Sequence, residues 1–212
     1  MTRSSPWSLD ARVLVRPART FQAMGAGRTP ERKESTFWTA VRRPLFLSLV
    51  LGCVISLIGA SVATIRLIGA TPLYWSIVPV VEILGLAIVI WRRRGARTFA
   101  SLIDIFFAGH AAWTLFLLLT GAVLAVAPPE HWWFLITRPV VTGLVLVAGW
   151  SAYVDVCFFR YVCGARLASA IGSAVVFRAV AWVLIFWIFA VPQPTPFGVI
   201  QKFVEAAREL LQ

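Results

Sequence analysis

Acidic residues are scarce in this chain: nine Asp and Glu stand against twenty Lys and Arg, for a formal net charge of +11. Histidine is scarcer, with only His110 and His131, and there are three cysteines, Cys53, Cys157 and Cys163. The cysteines have no ligand-type spacing, so they read as small buried apolar side chains rather than a disulfide or a zinc site. The two histidines fall at different depths, and neither has a Ser, a Cys or a paired carboxylate at motif spacing beside it. Asp104 and Asp155 are the one conceivable carboxylate dyad. Glycines such as Gly52, Gly85, Gly109, Gly121 and Gly143 suit close helix contacts better than a phosphate cradle. The chain is therefore expected to be non-enzymatic, with no catalytic residue, cofactor or metal. An apolar h-region followed by a small-residue cleavage site is also missing, so no cleaved signal peptide is expected.

What the chain has in abundance is hydrocarbon. Hydrophobic residues make up 59% of it, and the mean hydropathy is +0.82, far above what a water-facing domain can carry. Runs long enough to cross a bilayer occur at 44–65, 72–91, 102–127, 140–159 and 170–191, each near the roughly 20 residues a span needs. The expected fold is all-α: a polytopic bundle of five transmembrane helices with amphipathic helices at both termini. Trp75, Trp91, Trp132 and Trp133 fall close to the predicted span ends, where an indole is at home.

Charge orients the bundle. Fifteen of the twenty basic residues lie before the first run, between the second and third, or between the fourth and fifth. The positive-inside rule then makes the N-terminus cytoplasmic and the C-terminus external; with a short basic tail and no organelle signal, a bacterial inner membrane with a periplasmic C-terminus is expected. This placement accounts for the basic balance without nucleic acid, and anionic lipid headgroups are the expected partners, with Arg12, Arg16, Arg19, Arg92, Arg93 and Arg94 at the membrane surface.

Three segments follow. In 1–43, Ser8 can cap a turn carrying Leu9, Val13 and Leu14, and Pro17 can open a second piece carrying Phe21 and Met24. This basic, amphipathic leader is expected to rest on the cytoplasmic membrane face, with a polar linker after it. Residues 44–191 are the membrane domain. In 192–212, Ile200, Phe203, Val204, Ala207, Leu210 and Leu211 recur at helical spacing after Thr195 and Pro196, which predicts an amphipathic helix on the outer side.

Glu82, Asp104, His110, Asp155 and Arg178 fall within the predicted spans, where an unpaired charge costs about 2.5 kcal/mol or more. As a proton relay, Glu82 and His110 would exchange protons that Asp104 and Asp155 admit from the cytoplasm, the basis of an alternative reading as a small proton-coupled transporter. As a structural cluster, Arg178 would pair with Asp155 or Asp104 while His110 bonds Glu82. The structural reading is preferred, because the outer halves of the spans offer only a thin series of hydroxyls: Ser56, Ser61, Thr64, Ser76, Thr120 and Thr142.

The basic pre-membrane helix with Pro17 and Phe21, the polar linker, the five close-packed spans and Gly109-His110, where relatives often have Gly-Tyr, resemble the Yip family of Ypt/Rab-interacting membrane proteins, bacterial type. The Asp-Leu-Tyr-Gly-Pro element of the eukaryotic trafficking members is absent. The resemblance implies a non-enzymatic membrane protein that binds other integral membrane proteins, as an accessory or scaffold subunit of a larger assembly; some bacterial relatives are thought to accompany ABC-type transporters. The sequence leaves the partner and the oligomeric state open.

Overall fold

The computed structural model describes residues 6–26, 37–60, 75–91, 98–127 and 136–190, and every element among them is helical. The leader forms α1 (Pro6–Val15) and α2 (Pro17–Gly25). The bundle is built from α3 (Phe37–Ala60), α4 (Ile77–Ile90), α5 (Phe99–Ala108), α6 (Ala111–Val126), α7 (Val141–Cys157) and α8 (Leu167–Ala190). Turns of π-helix at Ile136–Val140 and Phe158–Val162 extend α7 at both ends. Arg92, Arg93 and Arg94, the outer loop with Trp132 and Trp133, and the expected C-terminal helix lie outside the described residues.

Two helical stretches, Arg138–Val162 and Leu167–Ile188, are long and apolar enough to cross a membrane, and α5 with α6 makes a third if the bent pair is one span. The expectation of one uninterrupted helix over 102–127 is thereby corrected, because the axis turns by 46° between α5 and α6. The break has a local cause. A Cβ at Gly109 would lie 2.8 Å from Val154 Cγ1 on α7 and 2.9 Å from the Phe106 carbonyl oxygen, so only glycine lets α7 approach this closely. There the N–H groups of Gly109 and His110 reach back three residues, to Phe106 and Phe107, tightening the turn before α6 begins.

Elsewhere the helix ends follow ordinary chemistry. Thr98 caps α5 by accepting a hydrogen bond from the Ser101 N–H, 3.3 Å away. Pro17 opens α2, where its missing N–H costs nothing. Gly164, at φ +68°, reverses the chain after α7 in a conformation that disfavours a side chain. Pro44 lies inside α3, and Ser48 donates to its carbonyl at 2.9 Å.

The interior is aromatic. Phe106 meets Phe158 and Phe177 edge to face, with ring centroids 5.3 and 5.2 Å apart, joining α5 to the end of α7 and to α8. The exterior is apolar too: Ile88, Val145, Leu146, Val183 and Phe186 are each more than 60% exposed. Large apolar side chains exposed in such number are suited to hydrocarbon rather than water.

The leader departs from the expectation that it rests on lipid. Val13 and Phe21 are completely buried in the protein core. Phe21 packs edge to face on Phe158, at 6.1 Å between centroids. A Cβ at Gly25 would lie 2.1 Å from the Tyr161 carbonyl oxygen, so the end of α2 lies directly on the π-turn backbone. The basic side chains Arg12, Arg16 and Arg19 stay exposed on the other face. Protein, at the end of the bundle formed by the π-turn, covers the apolar stripe.

Candidate functional site

Four of the five intramembrane polar residues converge. Glu82 comes from α4, His110 from the α5–α6 junction, Asp155 from α7 and Arg178 from α8. Arg178 donates through Nη1 to Glu82 Oε1 at 2.9 Å, through Nε to Asp155 Oδ2 at 2.5 Å, and through Nη2 to Ser151 Oγ at 2.8 Å. Ser151 stands one turn before Asp155 on α7, so both face the same guanidinium. One arginine thus ties α4, α7 and α8 together, and its planar fork suits this better than a lysine would.

His110 approaches from the opposite side. Its Nε2 lies 3.0 Å from Glu82 Oε2, within charge-pair distance. Nδ1, on the other side of the ring, is buried without a hydrogen-bond partner. The ring is held by packing instead, stacked on Phe107 at 4.8 Å and edge-on to Phe106 at 5.1 Å.

Asp104 belongs to a separate cluster. It accepts from Arg43 Nη1 through Oδ1 and through its backbone carbonyl, and Arg42 Nη2 stands 3.5 Å from the same carboxylate oxygen. The other side of the Arg43 guanidinium makes a two-pronged contact with Asp10 of α1, Nε to Oδ1 at 2.8 Å and Nη2 to Oδ2 at 3.0 Å. Burial works against the Arg43 cation, but the hydrogen bonds and charges of Asp10 and Asp104 outweigh it and hold its pKa above the ordinary arginine value. This cluster fastens the leader to α3 and α5.

The two clusters flank an apolar cavity of about 660 Å³ between α1, α3 and α6. Asp10, Arg42 and Arg43 line one part, His110 and Thr114 another, and Leu14, Phe46, Leu47, Phe107, Leu115 and Leu118 most of the rest.

Sequence reasoning named Asp104, Glu82, His110, Asp155 and Arg178, with Arg178 paired to Asp155 or Asp104 and His110 set beside Glu82; the structure pairs Arg178 with Asp155 and Glu82, puts His110 beside Glu82, and gives Asp104 to Arg43 instead. Asp10, Arg43 and Ser151 went unassigned. The available signals were that Asp10 is the only carboxylate among the first thirty residues, and that Ser151 and Asp155 have the four-residue spacing of one helix face. The three cysteines are free thiols. Among the described residues no three His, Cys, Asp or Glu side chains gather as a metal site requires. The chain matches no protein family model, and neither a curated protein nor a solved structure is significantly similar to it.

Proposed function

We propose that this chain is a non-enzymatic integral inner-membrane protein of Yip type that serves as an accessory or scaffold subunit of a larger membrane assembly. In this reading five spans cross the bilayer, the N-terminus is cytoplasmic and the C-terminus periplasmic. The observation that carries it is the Arg178 cluster: the guanidinium engages Glu82, Asp155 and Ser151 at once. Such a network fixes the mutual positions of three helices and leaves the apolar exterior as the surface on offer. Packing of small and apolar residues between helices is how a partner is bound inside a membrane. Gentle detergent extraction from native membranes, followed by size analysis and identification of co-purifying chains, tests this. A stoichiometric integral-membrane partner is expected; a monodisperse lone monomer from native membranes overturns the reading.

A second reading is favoured by one observation, His110 Nε2 beside Glu82 Oε2 with Nδ1 unsatisfied on the other side of the ring. A small proton-coupled transporter would pass protons through that pair, with Asp155 beside it on Arg178 and Asp104 in the separate Arg43 cluster. Liposomes loaded with a pH-sensitive dye separate the two readings. Proton flux present in the wild type and lost in Glu82→Gln selects the transporter; impermeable liposomes select the scaffold.

A further inference from the structure

We propose that the cavity between α1, α3 and α6 is a binding site for one anionic phospholipid of the inner leaflet. The inference rests on the bilayer reading of the exterior and not on the partner reading, so either can fail alone.

The polarity of the lining supports an amphiphile. Along α3 it passes from Arg42 and Arg43 to Phe46 and Leu47, and along α6 from Ala111 and Thr114 to Leu115 and Leu118. Charge therefore lies at one end and hydrocarbon at the other, and the progression runs inward from the basic leader, as for a lipid whose headgroup faces the cytoplasm. Phe46, Leu115 and Leu118 are also among the exposed apolar residues, so an acyl chain could enter sideways from the bilayer.

The charged end, where Arg42 and Arg43 stand against Asp10 and Asp104, leaves one guanidinium nitrogen open to an anion. Arg43 is held between Asp10 and Asp104, and its bidentate pairing occupies both oxygens of Asp10. Arg42 has only a 3.5 Å contact with the Asp104 oxygen that Arg43 already uses, and its buried Nη2 has no hydrogen-bond partner. A phosphodiester oxygen is a fitting acceptor for that donor. The second, independent observation is His110. It is 96% buried and lines the same cavity; its Nε2 faces Glu82 at 3.0 Å, while its buried Nδ1 has no hydrogen-bond partner. A buried nitrogen left without a partner, as Nδ1 is, points to a ligand that satisfies it. Beyond the headgroup, the glycerol ester carbonyls of a phospholipid would supply acceptors for it.

The test is native mass spectrometry of the purified chain after incubation with equimolar phosphatidylglycerol and phosphatidylcholine. One retained phosphatidylglycerol per chain is expected. Arg42→Gln should weaken retention about tenfold, the usual scale for one charge-assisted hydrogen bond. Leu118→Trp, which fills the apolar end and leaves every charge in place, should remove the lipid without loss of thermal stability. Arg160→Gln, at an exposed arginine that lies over the Tyr161 ring on the π-turn, should change nothing. Equal retention of both lipids overturns the proposal. So does an Arg42→Gln chain that binds like the wild type, or equal losses in Arg42→Gln and Arg160→Gln, which would mean surface charge alone. A lipid-free dimer abolished by Leu118→Trp would assign the cavity to a second copy of the chain and also overturn it.

Discussion

Asp10 and Arg43 stand 33 positions apart and meet through two parallel hydrogen bonds of 2.8 and 3.0 Å. This pair converts the leader from a tail into part of the bundle, because the same guanidinium also holds Asp104 of α5. Asp10→Asn should leave the bundle folded and loosen α1. A loss of about 1–2 kcal/mol of local stability is expected, at the low end for hydrogen bonds to a charged group because the pair is partly solvated. Hydrogen exchange in α1 should rise while α7 and α8 are unchanged, and an unchanged α1 would show that the pair does not hold it.

Arg178→Leu should be the most damaging single substitution in the bundle. It removes the guanidinium that bonds both Glu82 and Asp155, leaving Asp155 buried without that partner and Glu82 with His110 alone, at a cost of about 3–5 kcal/mol. Adding Glu82→Gln and Asp155→Asn should restore much of the lost thermal stability in detergent. If the triple variant is no more stable than Arg178→Leu alone, the cluster is not electrostatically coupled.

Gly25→Ala should separate α2 from the π-turn. The new Cβ would collide with the Tyr161 backbone oxygen, and backbone cannot move aside as a side chain can. The expected cost is about 1–3 kcal/mol, typical of overpacking. Faster exchange in α2, with quenching changes at the nearby aromatic cluster of Phe21 and Phe158, would register the displacement; identical exchange would show that the contact relaxes freely.

Spin labels at Ile88→Cys, Val145→Cys and Phe186→Cys should lie in hydrocarbon. All three positions are strongly exposed apolar sites on α4, α7 and α8. In reconstituted bilayers each label should collide more often with molecular oxygen than with a water-soluble nickel complex, and a label at Arg12→Cys should do the opposite. Preferential nickel access at any of the three would remove that helix face from the lipid boundary.

The helical elements were legible because a bilayer leaves the backbone no other economical way to satisfy its hydrogen bonds than within each segment. The expected start at Pro17 agrees with α2. The bend at Gly109 was not legible: the run 102–127 is apolar throughout, and the glycine matters only because Val154 approaches from another helix. The leader's contacts with the bundle were not legible for a similar reason. An amphipathic stripe shows that a face will be covered, not whether lipid or protein covers it.

The amino-acid sequence by itself determined the apolar runs, their helical form and the presence of costly charges that each required a partner. Only the tertiary structure decided the pairings. Arg178 takes Glu82 and Asp155, Arg43 takes Asp10 and Asp104, and His110 stands beside Glu82 with its Nδ1 unsatisfied, between the Arg178 cluster and a cavity. The physical reason is that periodicity reports the faces of one helix at a time, whereas an ion pair forms where faces of different helices meet, and that meeting is set by packing across the whole bundle.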